Sequence, residues 1–257
     1  MMVRHNEATE LRALPITGMG EIRPGDSVAD AILAALRRQK LKLMPGDILV
    51  VTHKIVSKAE GQTVVLDQAQ PSSGLRRWAS RYHLDARLVQ LALRQAKRVV
   101  RCRRGVIITE TAHGFVCANS GVDASNVDGG RCAVLLPNDP DRSARQIQRA
   151  IRKELGVSVP VLITDSFGRP WREGLCEVAI GVAGMKPFRD FRGRHDPHGY
   201  KLRASVEAVA DELACMAGLA CGKLSRNPVC IIRGFQYQPG REGAVSMLRS
   251  KKRDLFR

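Results

Sequence analysis

Val161-Leu162-Ile163-Thr164-Asp165-Ser166-Phe167-Gly168-Arg169-Pro170-Trp171-Arg172-Glu173-Gly174 opens apolar and turns polar at Asp165. The apolar run reads as a buried strand with Asp165 at its C-terminal end, the edge where open α/β sheets bind ligands. A second stretch, Ser120-Gly121-Val122-Asp123-Ala124-Ser125-Asn126-Val127, also sets a carboxylate and small oxygen-bearing side chains beside glycine. Such oxygens suit a hard cation such as Mg²⁺ that also holds phosphate. Taken singly, each aspartate reads as a turn or cap residue. Two such stretches, one flanked by Arg169 and Arg172, shift the reading toward a metal and phosphate site.

Outward from these stretches, strands alternate with helices. Residues 14–26 read as a loop. The helix after it is capped by Asp26 or Ser27, with Ala29, Ile32, Leu33 and Leu36 on one face. Pro45-Gly46-Asp47 turns into a strand over 48–52, and 53–61 reads as a strand-to-loop passage offering Lys58 and backbone N–H groups to an anion. A loop over 67–74 precedes a helix over 85–97. Strands are expected at 106–109, 115–118 and 132–136, then a helix opened by Asp141 or Ser143. A strand at 177–183, a helix at 204–219 and a buried strand at 229–233 complete a mixed α/β chain.

With 257 residues, 44% hydrophobic and 26% charged, the chain has the composition of a globular protein with a large core. No apolar run reaches the ~20 residues of a membrane span, and the N-terminus lacks an export-type apolar segment, so a cytoplasmic protein is expected. Seven scattered cysteines contain no C-x-x-C pair and read as buried thiols. The charge of +17 suits anionic partners: nucleic acid, membrane or a small polyanion. An aromatic content of 4% counts against single-strand nucleic-acid binding. Walker, G-x-G-x-x-G and G-x-S-x-G motifs are absent. His195-Asp196-Pro197-His198 reads as polar surface, and Arg169 and Arg172 either hold a substrate anion or brace a loop.

The order and wording of several segments resemble one family, the GTP-dependent ligases that add L-glutamate to the deazaflavin coenzyme F420 precursor, F420-0. They are Gly46 to Thr52, Lys54 to Gly61, Gly114 to Asn126, Leu136 to Asp141, Asp165 to Gly174 and Ala210 to Ala214. The resemblance runs from about Leu14 to Phe235 and implies a mixed α+β fold of two closely joined lobes, with a basic tail over 236–257. It implies GTP, L-glutamate and F420-0 as substrates, an acyl-phosphate intermediate and a γ-linked glutamyl tail. It also implies two Mg²⁺ or Mn²⁺ ions with K⁺, a homodimer, and no nucleic-acid or membrane partner.

Residue by residue, the resemblance implies Asp123, Asp165 and Ser166 as metal ligands. Met19, Gly20, Glu21, Ile22, His53, Lys54, Lys58 and Asn126 would contact nucleotide, with Cys221, Gly222, Lys223 and Leu224 closing its site. No covalent nucleophile is implied. Lys223 stands where relatives carry a metal-holding glutamine, and a charged lysine cannot do that. The rival readings are a metal-dependent phosphohydrolase using the same aspartates and a basic RNA-binding module.

Overall fold

The computed structural model describes residues 10–125 and 128–255. Its elements run β1 (Arg12–Ile16), α1 (Val28–Gln39), β2 (Ile48–Thr52), α2 (His53–Ala59), β3 (Thr63–Val65), α3 (Ser73–Arg81), α4 (Ala86–Gln95), β4 (Ala96–Arg103), β5 (Val106–Thr111), β6 (Val116–Ala118) and β7 (Cys132–Val134). There follow α5 (Pro140–Leu155), β8 (Val161–Arg169), β9 (Arg172–Ala183), β10 (Arg189–Asp190), β11 (Val206–Glu207), α6 (Val209–Cys221) and β12 (Val229–Arg233). The mixed α/β class is the expected one.

The main sheet has the order β1-β12-β2-β8-β9, with β2 and β8 parallel and every other pair antiparallel. Side chains alternate across a strand, so the apolar runs feed two cores at once. Leu49, Val51, Val161, Ile163, Val229 and Ile231 face α1, α2 and α5. Ile48, Val50, Leu162, Cys230 and Ile232 face α6. Each fully buried side chain of this size contributes about 1.5–3 kcal/mol. Two of the helices facing the first core, α1 and α5, carry side-chain caps. Ser27 accepts from Asp30 N at 3.2 Å, and Asp139 accepts from Arg142 N with Pro140 at the first turn of α5.

A smaller lobe is inserted between β2 and β8. It contains the three-stranded sheet β4-β5-β6, the β3–β7 pair and helices α3 and α4 around their own apolar clusters. The chain beyond residue 235 stays on the body, where Tyr237, Ala244 and Met247 pack against the α6 core.

Several boundaries differ from the sequence-based expectation. Residues 12–16 form an edge strand, where Pro15 costs nothing because no neighbour needs its missing N–H on the outer side. Residues 53–59 are helical, α3 begins inside the expected loop, and β4 replaces the end of the helix expected to reach 97. Asp139, two residues earlier than expected, caps α5. Helix α6 starts at Val209, because Val206 and Glu207 pair with β10. Most consequentially, β8 does not stop at Thr164. It continues to Arg169 as one arm of a long hairpin with β9, past a register irregularity at Ile163/Thr164.

Candidate functional site

The parallel pairing of β2 with β8 ends at Thr52 and Thr164. The chain after Thr52 turns into α2, so His53 stands beside Asp165, its Nε2 3.2 Å from Asp165 Oδ1. His53 is 1% exposed, and its Nδ1 lies 3.2 Å from the buried Ser57 hydroxyl one turn along. The Nε2 contact lacks hydrogen-bond alignment, so this buried ring nitrogen faces the carboxylate without a satisfied bond. Asp165 therefore does sit where the sheet's central pairing stops, although its strand runs on.

Asp123 arrives from the other lobe. Its backbone makes an isolated antiparallel bridge with Val134 of β7, which pairs with β3 just downstream of α2. Lys54, the residue after His53, donates to Asp123 Oδ2 at 2.7 Å and to Ser125 O and Oγ at 3.0 and 2.9 Å. Ser125 N and Oγ also donate to the Asp123 carboxylate at 2.6 and 2.9 Å. Burial acts to raise the Asp123 carboxyl, but the Lys54 and Ser125 donors and the Lys54 charge outweigh it and hold the group below its usual range. Two carboxylates from different sheets thus meet consecutive residues of one helix.

The backbone leading into Asp123 is unusual. Asn119 and Ser120 have φ of 52° and 55°, and Gly121 follows at 70°. A Cβ on Gly121 would meet Leu136 at 2.8 Å, so this position needs glycine for space as well as conformation. The left-handed Ser120 is held by its N–H on Thr109 Oγ1 at 2.9 Å and its hydroxyl on Ala92 O at 2.6 Å.

Other expected residues gather around the same helix. Lys58 pairs with Glu21, and Arg226 reaches the second Glu21 oxygen at 3.7 Å, which joins the 19–22 loop to α2 and to the segment before β12. Lys223 donates to Ser166 Oγ at 3.2 Å, while the Ser166 hydroxyl donates to Glu177 across the β8–β9 pair.

A family model described as F420-0:Gamma-glutamyl ligase matches residues 18–234, most of the chain. It belongs to that family. The coenzyme F420:L-glutamate ligases of Methanopyrus kandleri and Methanothermobacter thermautotrophicus are each 41% identical. The first alignment covers 96% of this chain and 98% of the relative, the second 94% and 97%. The ligase of the same name from Methanocaldococcus jannaschii is 42% identical over 82% of this chain and 85% of its own length.

The F420-0:gamma-glutamyl ligase match spans every sequence-selected residue named above. Yet the structure does not give them all the same standing. Met19 packs against the first core and Ile22 is buried in it, whereas Gly20 is exposed. The His53 ring is buried and faces Asp165, so its side chain points into the body. The Cys221 thiol lies on the Val229 carbonyl, inside rather than toward the loop, because α6 ends there against β12. Gly222 terminates α6 at φ 65°, and Leu224 is exposed. Asn126 lies outside the described residues.

Lys58 is helical instead of part of an open loop. Arg169 donates to the Glu173 carbonyl and pairs in register with Arg172, which braces the hairpin turn. Asp196 accepts from His198 N and Tyr200 N at 2.9 and 2.8 Å, so the His195–His198 segment is a turn, as its polar texture suggested.

Sequence reasoning missed Glu177, Ser125 and Arg226. Glu177 was the findable one: a hairpin register through Asp165 and Ser166 places it opposite the serine hydroxyl. Among the described residues no group of three or more His, Cys, Asp and Glu forms a ready-made metal cluster. The oxygens of Asp123, Asp165, Ser166 and Glu177 are nonetheless hard donors, with Lys54 and Lys223 at two of them. Mg²⁺ is commonly held by one or two carboxylates plus substrate phosphate, and this set fits that pattern. Cys117, near Asp165, is pushed up to about 12 by burial and then by the aspartate charge, so its thiol stays protonated near neutrality.

Proposed function

We propose that this chain is a GTP-dependent ligase joining the amino group of L-glutamate to the terminal carboxylate of F420-0 in coenzyme F420 biosynthesis. The observation that carries the reading is the tie of Asp165 and Asp123 to His53 and Lys54, in a chain whose full-length relatives bear the ligase name.

The acceptor carboxylate oxygen attacks the γ-phosphorus of GTP, the bridging P–O bond breaks, and GDP leaves with its electrons. The glutamate nitrogen then attacks the acyl carbon, the amine's protons are lost, and inorganic phosphate departs. Repetition on the new side chain lengthens a γ-linked tail. No protein nucleophile is needed; the chain's work is alignment and charge.

Asp123, Asp165 and Ser166, with Glu177 behind the serine, would hold one or two Mg²⁺ or Mn²⁺ ions. A bound divalent ion supplies positive charge to the γ-phosphoryl oxygens as they transfer. His53 keeps Asp165 in one orientation from within the core. Lys54, Lys58 and Lys223 are drawn onto carboxylate or hydroxyl oxygens in this structure and would exchange those partners for triphosphate oxygens. The same reading takes K⁺ as an auxiliary ion and the protein as a cytoplasmic homodimer.

Mass spectrometry of a reaction containing GTP, L-glutamate, Mn²⁺ and F420-0 tests the proposal. A product heavier by one or more glutamyl units, with one GDP formed per unit, is expected. GTP turnover indifferent to both F420-0 and glutamate would instead identify a phosphohydrolase built on the same carboxylates.

A further inference from the structure

A cavity of about 460 Å³ opens between the β5–β6 turn and the start of α5, lined among others by His113, Phe115, Asp139, Arg145 and Ile180. Through Phe115 its wall touches the strand that carries Asp165. The Phe115 ring meets Phe167 edge-on at 6.4 Å, and Phe167 is two residues beyond Asp165 on the same side of β8. Cys117, two residues after Phe115, is in turn close enough to feel the Asp165 charge.

The polar groups of this cavity are not all spent on the fold. His113 Nε2 lies 2.9 Å from Pro137 O and 3.1 Å from Asn138 O, which only accept, so Nε2 carries the hydrogen. His113 Nδ1 is buried and has no partner. The Arg145 side chain has no ion pair among the described residues. Helix α5 needs no outside anion, because Glu60 accepts from Asn138 N and the Ser143 hydroxyl while Asp139 caps Arg142 N. Asp139 commits one oxygen to that cap.

One unpaired guanidinium, one bare ring nitrogen and the second oxygen of the Asp139 carboxylate, beside an apolar wall, match a zwitterion with a short aliphatic stem. We propose that this cavity binds the attacking L-glutamate, with a carboxylate on Arg145 and the ammonium on His113 Nδ1 and Asp139. The proposal rests on the ligase reading and names where its second substrate sits.

The test is steady-state kinetics of Arg145→Gln and His113→Asn in the full chain, with ¹³C-labelled L-glutamate line broadening as a binding readout free of turnover. Arg145→Gln should raise the KM for glutamate about ten-fold or more while leaving the KM for GTP within about two-fold, and should abolish the broadening. His113→Asn should shift the same constant in the same direction and serves alone if the arginine variant does not fold. A wild-type protein that forms no glutamyl product would remove the ligase reading and this one with it. Product formation by the wild type, with an unchanged glutamate KM and undiminished broadening in the folded variants, would overturn the cavity assignment alone.

Discussion

At the scale of single residues, the His53–Lys54 pair has the greatest leverage. On the proposed mechanism, replacing Asp123 or Asp165 with Asn removes a charge that phosphoryl transfer depends on, and kcat should fall about 100-fold or more. Circular dichroism should remain that of the wild type, since both side chains lie at the surface of the core. His53→Gln is a different experiment, because the ring touches Asp165 from behind; a loss of about 10- to 100-fold, the range for groups that orient a ligand, is expected. Equal kcat in the two proteins would show that Asp165 needs no such support.

Acid sensitivity offers a further check at this scale. Asp123 is held below its ordinary value, so its stabilising contribution is fully present above about pH 4 and disappears as pH falls through the depressed value. In urea titrations the wild type should lose midpoint over that range more steeply than Asp123→Asn. Parallel curves would mean that the Lys54 contact adds nothing to folding.

Among elements, the closest fit is between β9 and the first turn of α5. A Cβ on Gly181 would stand 2.5 Å from Pro140 O and 2.6 Å from Pro140 C, backbone atoms that cannot swing aside. Gly181→Ala should therefore cost about 1–3 kcal/mol, read as a lower urea midpoint at unchanged slope. An undiminished midpoint would show that helix and strand can separate without loss.

The apolar runs of β2, β8 and β12 were readable from sequence because burial on both faces leaves no polar alternation to confuse them. Asp165 was readable because a carboxylate closes such a run, and Asp123 because it stands among serine, glycine and asparagine, small oxygen-bearing neighbours that suit a cation. The extension of β8 to Arg169 was not readable: beyond Thr164 the residues are mixed in character, and pairing with β9 rather than burial holds them extended. Losing that hairpin also lost Glu177. Similarly, α2 has seven residues and no side-chain cap, so neither length nor terminus announced it.

Over the whole molecule, the charge of +17 suits the proposed substrates, which are all anions. Long-range attraction of this kind is screened beyond about 8–10 Å at ordinary ionic strength. The catalytic efficiency should therefore drop several-fold as KCl rises from low to moderate concentration, with kcat changing less. An efficiency indifferent to salt would assign the basic residues to another purpose.

The insertion of one lobe between β2 and β8 has a thermal consequence. Each lobe has its own apolar cluster, whereas the Lys54–Asp123 ion pair spans their junction. Gentle heating should loosen that junction before either cluster melts. Turnover should then vanish reversibly several degrees below the loss of helical ellipticity, and nucleotide with Mn²⁺ should push that early inactivation upward toward the melting point.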